Sequence, residues 1–477
     1  MRSPIARKDT PLTTQAAKAP RSSRYAAAEV LCRRRQRREP VTLILDEVAE
    51  VCALAPNDRQ LAMNMIYGVL RQQEYLETLL QQFCRQPLSR LKPFVRQTLL
   101  IGLYQIIFLD RIPDSAAVNE AVKALQAARL PKQLQGLVNG ILRNAVRQRA
   151  ELPTPDDGDT LSHPFLNHPP WLTHRWSNRY GQERMEEICQ ANNQQQPLVL
   201  QVNIGRCSRA QLRHQLELTG LTIRDGRYSP DSLILDGFSG RIESLPGFEQ
   251  GFFQVQGEAA QLAVHLMAPL LPGGSYLDGC AGLGGKTSQL LTACRNAGHQ
   301  NPADEARLQA VEPEAGRRKK FQANLERLHP DYPLSPFPGT LQEFSSQAPR
   351  PFDGILIDAP CSGTGVIGRQ PDIRWNRLES ELKRYQETQL EILTLAAGLL
   401  APQGILVYAT CSLEPEENQE VIDLFLARQP NFQLSDCASH LPSTASPLIQ
   451  GPFFAPTPDQ GTDGFFAARL VRNQNRS

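Results

Sequence analysis

Apolar residues recur at helical spacing through the first third of the chain. Leu134, Leu137, Val138, Ile141, Leu142 and Ala145 fall on one helical face, and Leu99, Leu103, Ile106 and Ile107 repeat the pattern upstream. Proline is sparse between Arg24 and Leu142, so the spacing predicts an all-α bundle over 23–149. The Pro- and Asp-rich stretch from Leu152 to Asp159 predicts a linker at 150–163. A helix is predicted from His168 to about Cys189. Short apolar runs at Val199–Val202 and Leu233–Leu235, with a helix at Arg209–Thr219 between them, predict a small α+β module over 164–245. Beyond residue 246 the pattern changes again. An amphipathic helix follows Gln254 to Gln261 and stops at Pro272-Gly273-Gly274. Apolar runs at Tyr276–Asp278, Leu308–Glu312, Gly354–Asp358 and Gly404–Thr410 then alternate with helical stretches. That alternation predicts a doubly wound, Rossmann-like α/β domain over 246–477, closed by an antiparallel edge strand near Asp463 to Leu470.

At 477 residues and 41% apolar content the chain has room for about three packed domains. The formal charge of +2 identifies no partner, but Arg33, Arg34, Arg35, Arg37 and Arg38 cluster near the start. Such a run is most often a solvated helix face; its sharper reading is an RNA-facing patch. Residues 1–22 are basic, rich in Ser, Thr, Pro and Ala, and read as a disordered tail. The 10 cysteines contain no C-x-x-C pair, which points to reduced thiols in a cytoplasmic protein. No apolar run approaches the roughly 18 residues a membrane span needs.

The candidate chemistry gathers at strand tips, where open α/β sheets bind ligands. One tip carries Asp358-Ala359-Pro360-Cys361-Ser362 and another Ala409-Thr410-Cys411-Ser412. Between the first strand and its helix lies Asp278-Gly279-Cys280-Ala281-Gly282-Leu283-Gly284-Gly285-Lys286-Thr287. A P-loop needs glycine at position 280, which is Cys280, and the glycines do not make G-x-G-x-x-G. Glu312 ends the second strand, where an acidic residue accepts ribose hydroxyls. The polar stretch Asn296–Ala306 reads as an insertion that lengthens the interval before it. A nucleoside cofactor without a pyrophosphate suits such a site: S-adenosylmethionine. A zinc deaminase set fails because Pro360-Cys361 lacks its second cysteine ligand, so no metal is expected. Cysteine in a sheet is usually a small buried apolar residue, the reading given to Cys32, Cys52, Cys84, Cys189, Cys207, Cys294 and Cys437. Cys361 and Cys411 suit nucleophilic catalysis on a pyrimidine. Carbon 5 of cytosine becomes reactive when a thiolate adds to carbon 6, and Asp358 is placed to donate to N3.

The helical segments Ile112 to Val122 and Gly136 to Asn144 resemble the NusB family of RNA-binding domains. Asp278 to Thr287, Asp358 to Gly365, Pro371 to Trp375, Tyr408 to Ser412, Pro415 to Asn418 and Asp463 to Phe466 together resemble the RNA 5-methylcytosine methyltransferases, specifically the RsmB/Sun (Fmu) family. The resemblance implies methylation of a cytosine in small-subunit ribosomal RNA by a monomeric enzyme. It implies Cys411 as nucleophile, Cys361 in product release, and Asp358 in contact with cytosine and cofactor. Cys280, Ala281, Gly282, Leu283, Gly284, Gly285 and Lys286 would cradle the methionine part, Glu312 the ribose, and Arg369, Arg374 and Trp375 would touch RNA. A core role for Trp375 stands beside that one. Four positions depart from the family pattern: Leu283 replaces a proline, Thr340 stands where an adenine-contacting Asp is usual, Gly257 replaces an Asp, and Gly368 replaces an Arg. Transfer RNA as the substrate, or a non-catalytic RNA scaffold, are the alternatives.

Overall fold

The computed structural model describes residues 22–37, 39–152, 163–238, 240–296, 307–347 and 351–474. The basic tail up to Arg21, the linker at 153–162 and the polar insertion at 297–306 lie outside the described residues. No helix among the described residues is long and apolar enough to cross a membrane. The chain divides into two compact units after Phe165.

The first unit is helical: α1 (Ser23–Arg34), α2 (Val41–Cys52), α3 (Pro56–Arg71), α4 (Gln73–Phe83), α5 (Pro93–Phe108), α6 (Asp114–Ala127) and α7 (Lys132–Arg147); the single turn α8 (His163–Leu166) runs across the division. Proline opens α3 and α5, where a missing N–H costs nothing. The Ser22 hydroxyl caps α1 by accepting from Tyr25 N–H. Helix α5 is the axis of the bundle and is buried on every side, including Gln97, Thr98 and Gln105. It lies so close to α3 that a Cβ on Gly68 would meet the Tyr104 ring at 1.9 Å. The predicted α7 stripe is buried at Val138, Ile141, Leu142 and Ala145, while Leu137 is exposed.

The second unit opens with α9 (Pro170–Tyr180) and α10 (Gln182–Asn193), not the single predicted helix. Gly181 breaks it with φ 85°, a conformation glycine adopts freely. A four-stranded antiparallel sheet follows, in the order β2 (Ile223–Asp225), β3 (Ser232–Leu235), β1 (Leu198–Val202), β4 (Phe253–Val255), with α11 (Arg209–Glu217) after β1. Because β4 pairs with β1, this sheet reaches Val255, past the expected boundary at 245. Helix α12 (Glu258–His265) leads into an eight-stranded mixed sheet with parallel members β5 (Ser275–Asp278), β6 (Arg307–Ala310), β7 (Phe352–Asp358) and β8 (Leu400–Thr410). Between them run α13 (Gly285–Asn296), α14 (Ala315–Leu328), α15 (Leu341–Ser345), α16 (Ile373–Asn376) and α17 (Leu382–Leu399). After α18 (Gln419–Arg428) come β9 (Phe432–Ser435), β10 (Ile449–Gln450), β11 (Phe453–Phe454) and β12 (Phe466–Arg472). Strand β12 is antiparallel to β8, as predicted, but it is not an edge: β9 and β11 both pair with it. Residues Ile355, Leu356, Ile357, Leu406, Val407 and Tyr408 are fully buried, since helices cover both faces.

Helices α9 and α10 share a core with the active-site loops. Leu172, Trp176, Met185 and Ile188 pack with Ile367 and Ile373 beyond β7 and with Leu413 beyond β8. Arg374 completes this joint and is 1% exposed. It donates to Asn167 O at 2.8 Å, Asn193 Oδ1 at 2.6 Å and Asn192 O at 3.0 Å. The expectation that Arg374 meets RNA is therefore corrected: the guanidinium is buried, and its two terminal nitrogens are turned inward to acceptors of its own chain. Arg374→Ala is expected to lower unfolding stability by about 3 kcal/mol, read by urea denaturation, and to leave the salt dependence of RNA binding unchanged.

Candidate active site

The loop after β5 is built on Asp278. Its Oδ2 accepts the Thr287 hydroxyl at 2.6 Å, and Cys280 N–H points at Oδ1 from 3.4 Å. The threonine of the Gly-Gly-Lys-Thr run thus closes the loop onto its own strand. Burial pushes the Asp278 carboxyl up to about 6, opposed by the Thr287 hydrogen bond and assisted by nearby Asp358. Gly282 and Gly284 take φ of 56° and 83°, and a Cβ on Gly284 would lie 2.6 Å from Leu325. Ala281 is buried and its N–H bonds Val311 O at 3.0 Å. The Leu283 side chain is exposed, but its carbonyl is held by Asn324 at 3.1 Å, so the loop is anchored without the family's proline. The Gly285 carbonyl accepts from Gln254 of β4 at 2.8 Å, tying the loop to the antiparallel sheet.

A cavity of about 670 Å³ lies over the carboxyl ends of β5, β6 and β7, a volume suited to a small ligand. It brings together Gly279, Cys280, Gly282, Glu312, Thr340, Asp358, Cys361 and Cys411. Glu312 is oriented by Glu314 N–H, which donates to its Oε1 at 2.8 Å. Thr340 is the N-cap of α15. Its hydroxyl accepts from Glu343 N–H at 3.2 Å, and Glu343 accepts Thr340 N–H at 2.7 Å. An aspartate at this position would cap equally well, so the exchange keeps the helix start while removing a charge from the cavity wall.

The thiols sit side by side. Asp358 stands opposite Ala409 in the parallel β7–β8 register, and Ala359 N–H bonds Ala409 O at 2.8 Å. Cys361 and Cys411 then follow at the two tips, with Sγ atoms 3.2 Å apart. The hydrogen bond to Cys411, with burial second, raises Cys361 well above the ordinary thiol range. Burial does the same to Cys280. Lys286 donates to Asp358 Oδ2 at 2.7 Å. Burial works against the ammonium most strongly, but the Asp358 carboxylate with its hydrogen bond, helped by Asp278, makes the net shift upward. Asp358, expected to contact cytosine N3, accepts this hydrogen bond from Lys286.

Of the other expected contacts, Arg369 is turned to Asp463, which accepts from its Nε at 2.7 and 2.8 Å, and to Pro197 O at 3.0 Å. A Cβ on Gly257 would meet that Asp463 carboxylate at 2.1 Å, so glycine there clears space for the ion pair. Trp375 is half-buried. Arg33 pairs with Glu29 at 2.8 Å, Arg34 is buried, and Arg35 is exposed; only the last matches a solvent-facing patch. Sequence reasoning passed over Arg377, which lines the cavity and donates to Ser362 O at 2.8 Å. It also passed over the buried set Ser362, Ser412, Gln389 and Glu417 behind the thiols. Their signal was present in the Pro415-Glu416-Glu417-Asn418 run, which carried the family pattern but no role.

A parallel sheet with a glycine loop after its first strand, an acidic residue after its second and reactive groups after the next two defines a Rossmann-like methyltransferase domain. Comparison with known proteins agrees. The family model of the 16S rRNA methyltransferase RsmB/F matches residues 266–471, that of the NusB family matches 21–147, and an RsmF/B-like ferredoxin-like domain matches 168–240. The chain is 37% identical to ribosomal RNA small subunit methyltransferase B of Cronobacter sakazakii, over 88% of this chain and 92% of that one. It is 35% identical to the protein of the same description from Yersinia pestis, over 91% and 96% of the two chains. The crystal structure of PH0851 superposes with a TM-score of 0.76 over 96% of this chain and all of that one, at 22% identity, a likeness of fold. That of a methyltransferase homologue from Pyrococcus horikoshii gives a TM-score of 0.54 at 26% identity, over 67% of this chain and all of the other. The chain belongs to the RsmB/F family of 16S rRNA methyltransferases, with a NusB-family helical domain at its front.

The raised Asp278 carboxyl gives a pH dependence. Against an unfolded value near 4, the folded protein holds this proton up to about pH 6, so the associated stability is full below about pH 4 and is lost as pH rises through 6. Asp278→Asn removes that titration. Urea unfolding of the variant is expected to match the parent near pH 4 and to exceed it by about 2–3 kcal/mol near pH 8.

Proposed function

We propose that the protein methylates carbon 5 of one cytosine in small-subunit ribosomal RNA, using S-adenosylmethionine and a covalent bond between Cys411 and carbon 6. The observation that carries this reading is the pair of sulfur atoms 3.2 Å apart, in one cavity with Asp358 and Glu312. A methyltransferase acting on an exocyclic amine or a ribose oxygen needs neither thiol.

The cavity fits the cofactor. Glu312 accepts the ribose hydroxyls, and Gly279 and Gly282 offer backbone to the cavity without side chains of their own; a Cβ on Gly282 would touch nothing within 4 Å, which leaves that face open to a ligand. When bound, S-adenosylmethionine supplies an electrophilic methyl group. The chain's own residues do the rest. Cys361 is held neutral by its hydrogen bond to Cys411 and by burial, which leaves Cys411 as the sulfur that bonds to carbon 6. As Cys411 bonds to carbon 6, negative charge develops toward N3, and a proton passes there from Lys286 through Asp358. Release requires transfer of the carbon 5 proton to solvent, cleavage of the sulfur–carbon 6 bond with its electron pair going back to Cys411, and return of the N3 proton through Asp358 to Lys286. Cys361, in contact with the Cys411 sulfur, is within reach of that bond.

The test is incubation with unmodified small-subunit ribosomal RNA and labelled S-adenosylmethionine, then digestion to nucleosides. Label in 5-methylcytidine at one position is the expected outcome. Label in any other nucleoside, or in transfer RNA alone, overturns the reading. Cys411→Ala is expected to lose turnover, by about 10⁴-fold or more. Cys361→Ala is expected to accumulate a denaturation-resistant protein–RNA adduct, visible as a retarded band in gels.

A further inference from the structure

Behind the two thiols lies a buried carboxylate that no step above uses. Glu417 is fully buried, in the short turn after β8. Both of its oxygens are committed to the residues that follow the cysteines. Oε2 accepts the hydroxyl of Ser362 and that of Ser412, which are themselves 3.1 Å apart. Oε1 accepts Ser362 N–H at 2.7 Å and Gln389 Nε2 at 3.1 Å. Gln389 also donates to Pro360 O at 3.0 Å, so Cys361 is held on both sides. The neighbouring Asn418 accepts from Thr410 Oγ1 at 2.6 Å and donates to Ser412 O at 2.9 Å, holding Cys411 in the same way. Burial raises the Glu417 carboxyl, while the hydrogen bonds from Ser362, Ser412 and Gln389 oppose it.

We propose that Glu417 is the positioning residue that fixes the spacing of Cys361 and Cys411, acting as one shared acceptor for the two cysteine-following serines. A side chain meant only to fill the core would not spend a carboxylate here, because desolvating one is costly unless every lone pair is used. The proposal rests on the reading of the two thiols as the reacting pair.

The experiment uses the full chain and reads spacing apart from catalysis. Diamide is added to the reduced protein, and formation of the Cys361–Cys411 disulfide is followed by peptide mass spectrometry. Kinetic constants and S-adenosylmethionine affinity are measured in parallel. Glu417→Ala is expected to slow the linking about tenfold and lower kcat about 100-fold, with cofactor affinity and RNA KM within about threefold of the parent. Glu417→Gln, which keeps one acceptor oxygen and the same volume, is expected to recover about tenfold of the lost kcat. If Glu417→Ala does not fold, the Ser362→Ala/Ser412→Ala double variant removes the same bridge and is read in the same way. Linking and kcat both within about twofold of the parent would overturn the proposal, as would a fall in kcat with unchanged linking. If the parent makes no 5-methylcytidine, the function proposed above fails, yet the linking rates still decide whether Glu417 sets the spacing.

Discussion

The site depends on one parallel register. Strand β7 lies on β8 with Ile357 beside Tyr408 and Asp358 beside Ala409. A shift of one residue would turn every side chain of a strand to the other face, carrying Asp358 away from Lys286 and separating the sulfur atoms. The register is held by burial on both faces, since Ile355, Ile357, Leu406 and Tyr408 have no solvent-facing alternative. It is held at the tips by side chains, where the ladder has ended. Tyr408, deep in the strand, donates its hydroxyl to Glu417 O at 2.6 Å and links the two levels.

The antiparallel module and its leading helices are part of the same construction. Arg175 of α9 binds Glu414 at 2.8 Å and Glu416 at 2.6 Å, Trp176 donates to Glu414 Oε1 at 3.0 Å, and Arg179 donates to Leu413 O at 2.6 Å. These contacts fix the segment just beyond Cys411. On the other side, Asn203 donates to Gly251 O and Leu328 O, and Gln254 reaches Gly285. The loop after β5 and the second thiol are thus braced from one module by short polar contacts, which demand closer geometry than apolar packing alone.

Much of this was legible in the residue pattern. The apolar runs ending at Asp358 and Thr410 read as strands because a parallel sheet covered on both faces needs continuous hydrophobic sequence. The glycines after β5 read as room for a ligand, but at Gly284 the close neighbour is the chain's own Leu325, which a Cβ would strike. What the sequence concealed was direction. A charged side chain has no inside or outside until the chain folds, so Arg374 and Arg369 read as RNA contacts although each is turned to acceptors of its own chain. Glu417 carried the family pattern without a role for the same reason. Strand β4 is too short for its alternation to register, and the break at Gly181 is a backbone event inside an otherwise helical pattern.

The shared acceptor behind the thiols also limits how the site can evolve. Glu417, Ser362, Ser412 and Gln389 form a buried network joined through the one carboxylate, and removing that shared acceptor leaves its donors away from water. Single substitutions in such a set are costly where a concerted change of several members need not be, which is strong epistasis. A lineage that abandoned one of the cysteines would keep the scaffold beneath it, because the serine behind it would still be needed to satisfy the glutamate. The polar set would then outlast the thiol it holds in place and remain in the sequence as a record of that lost side chain.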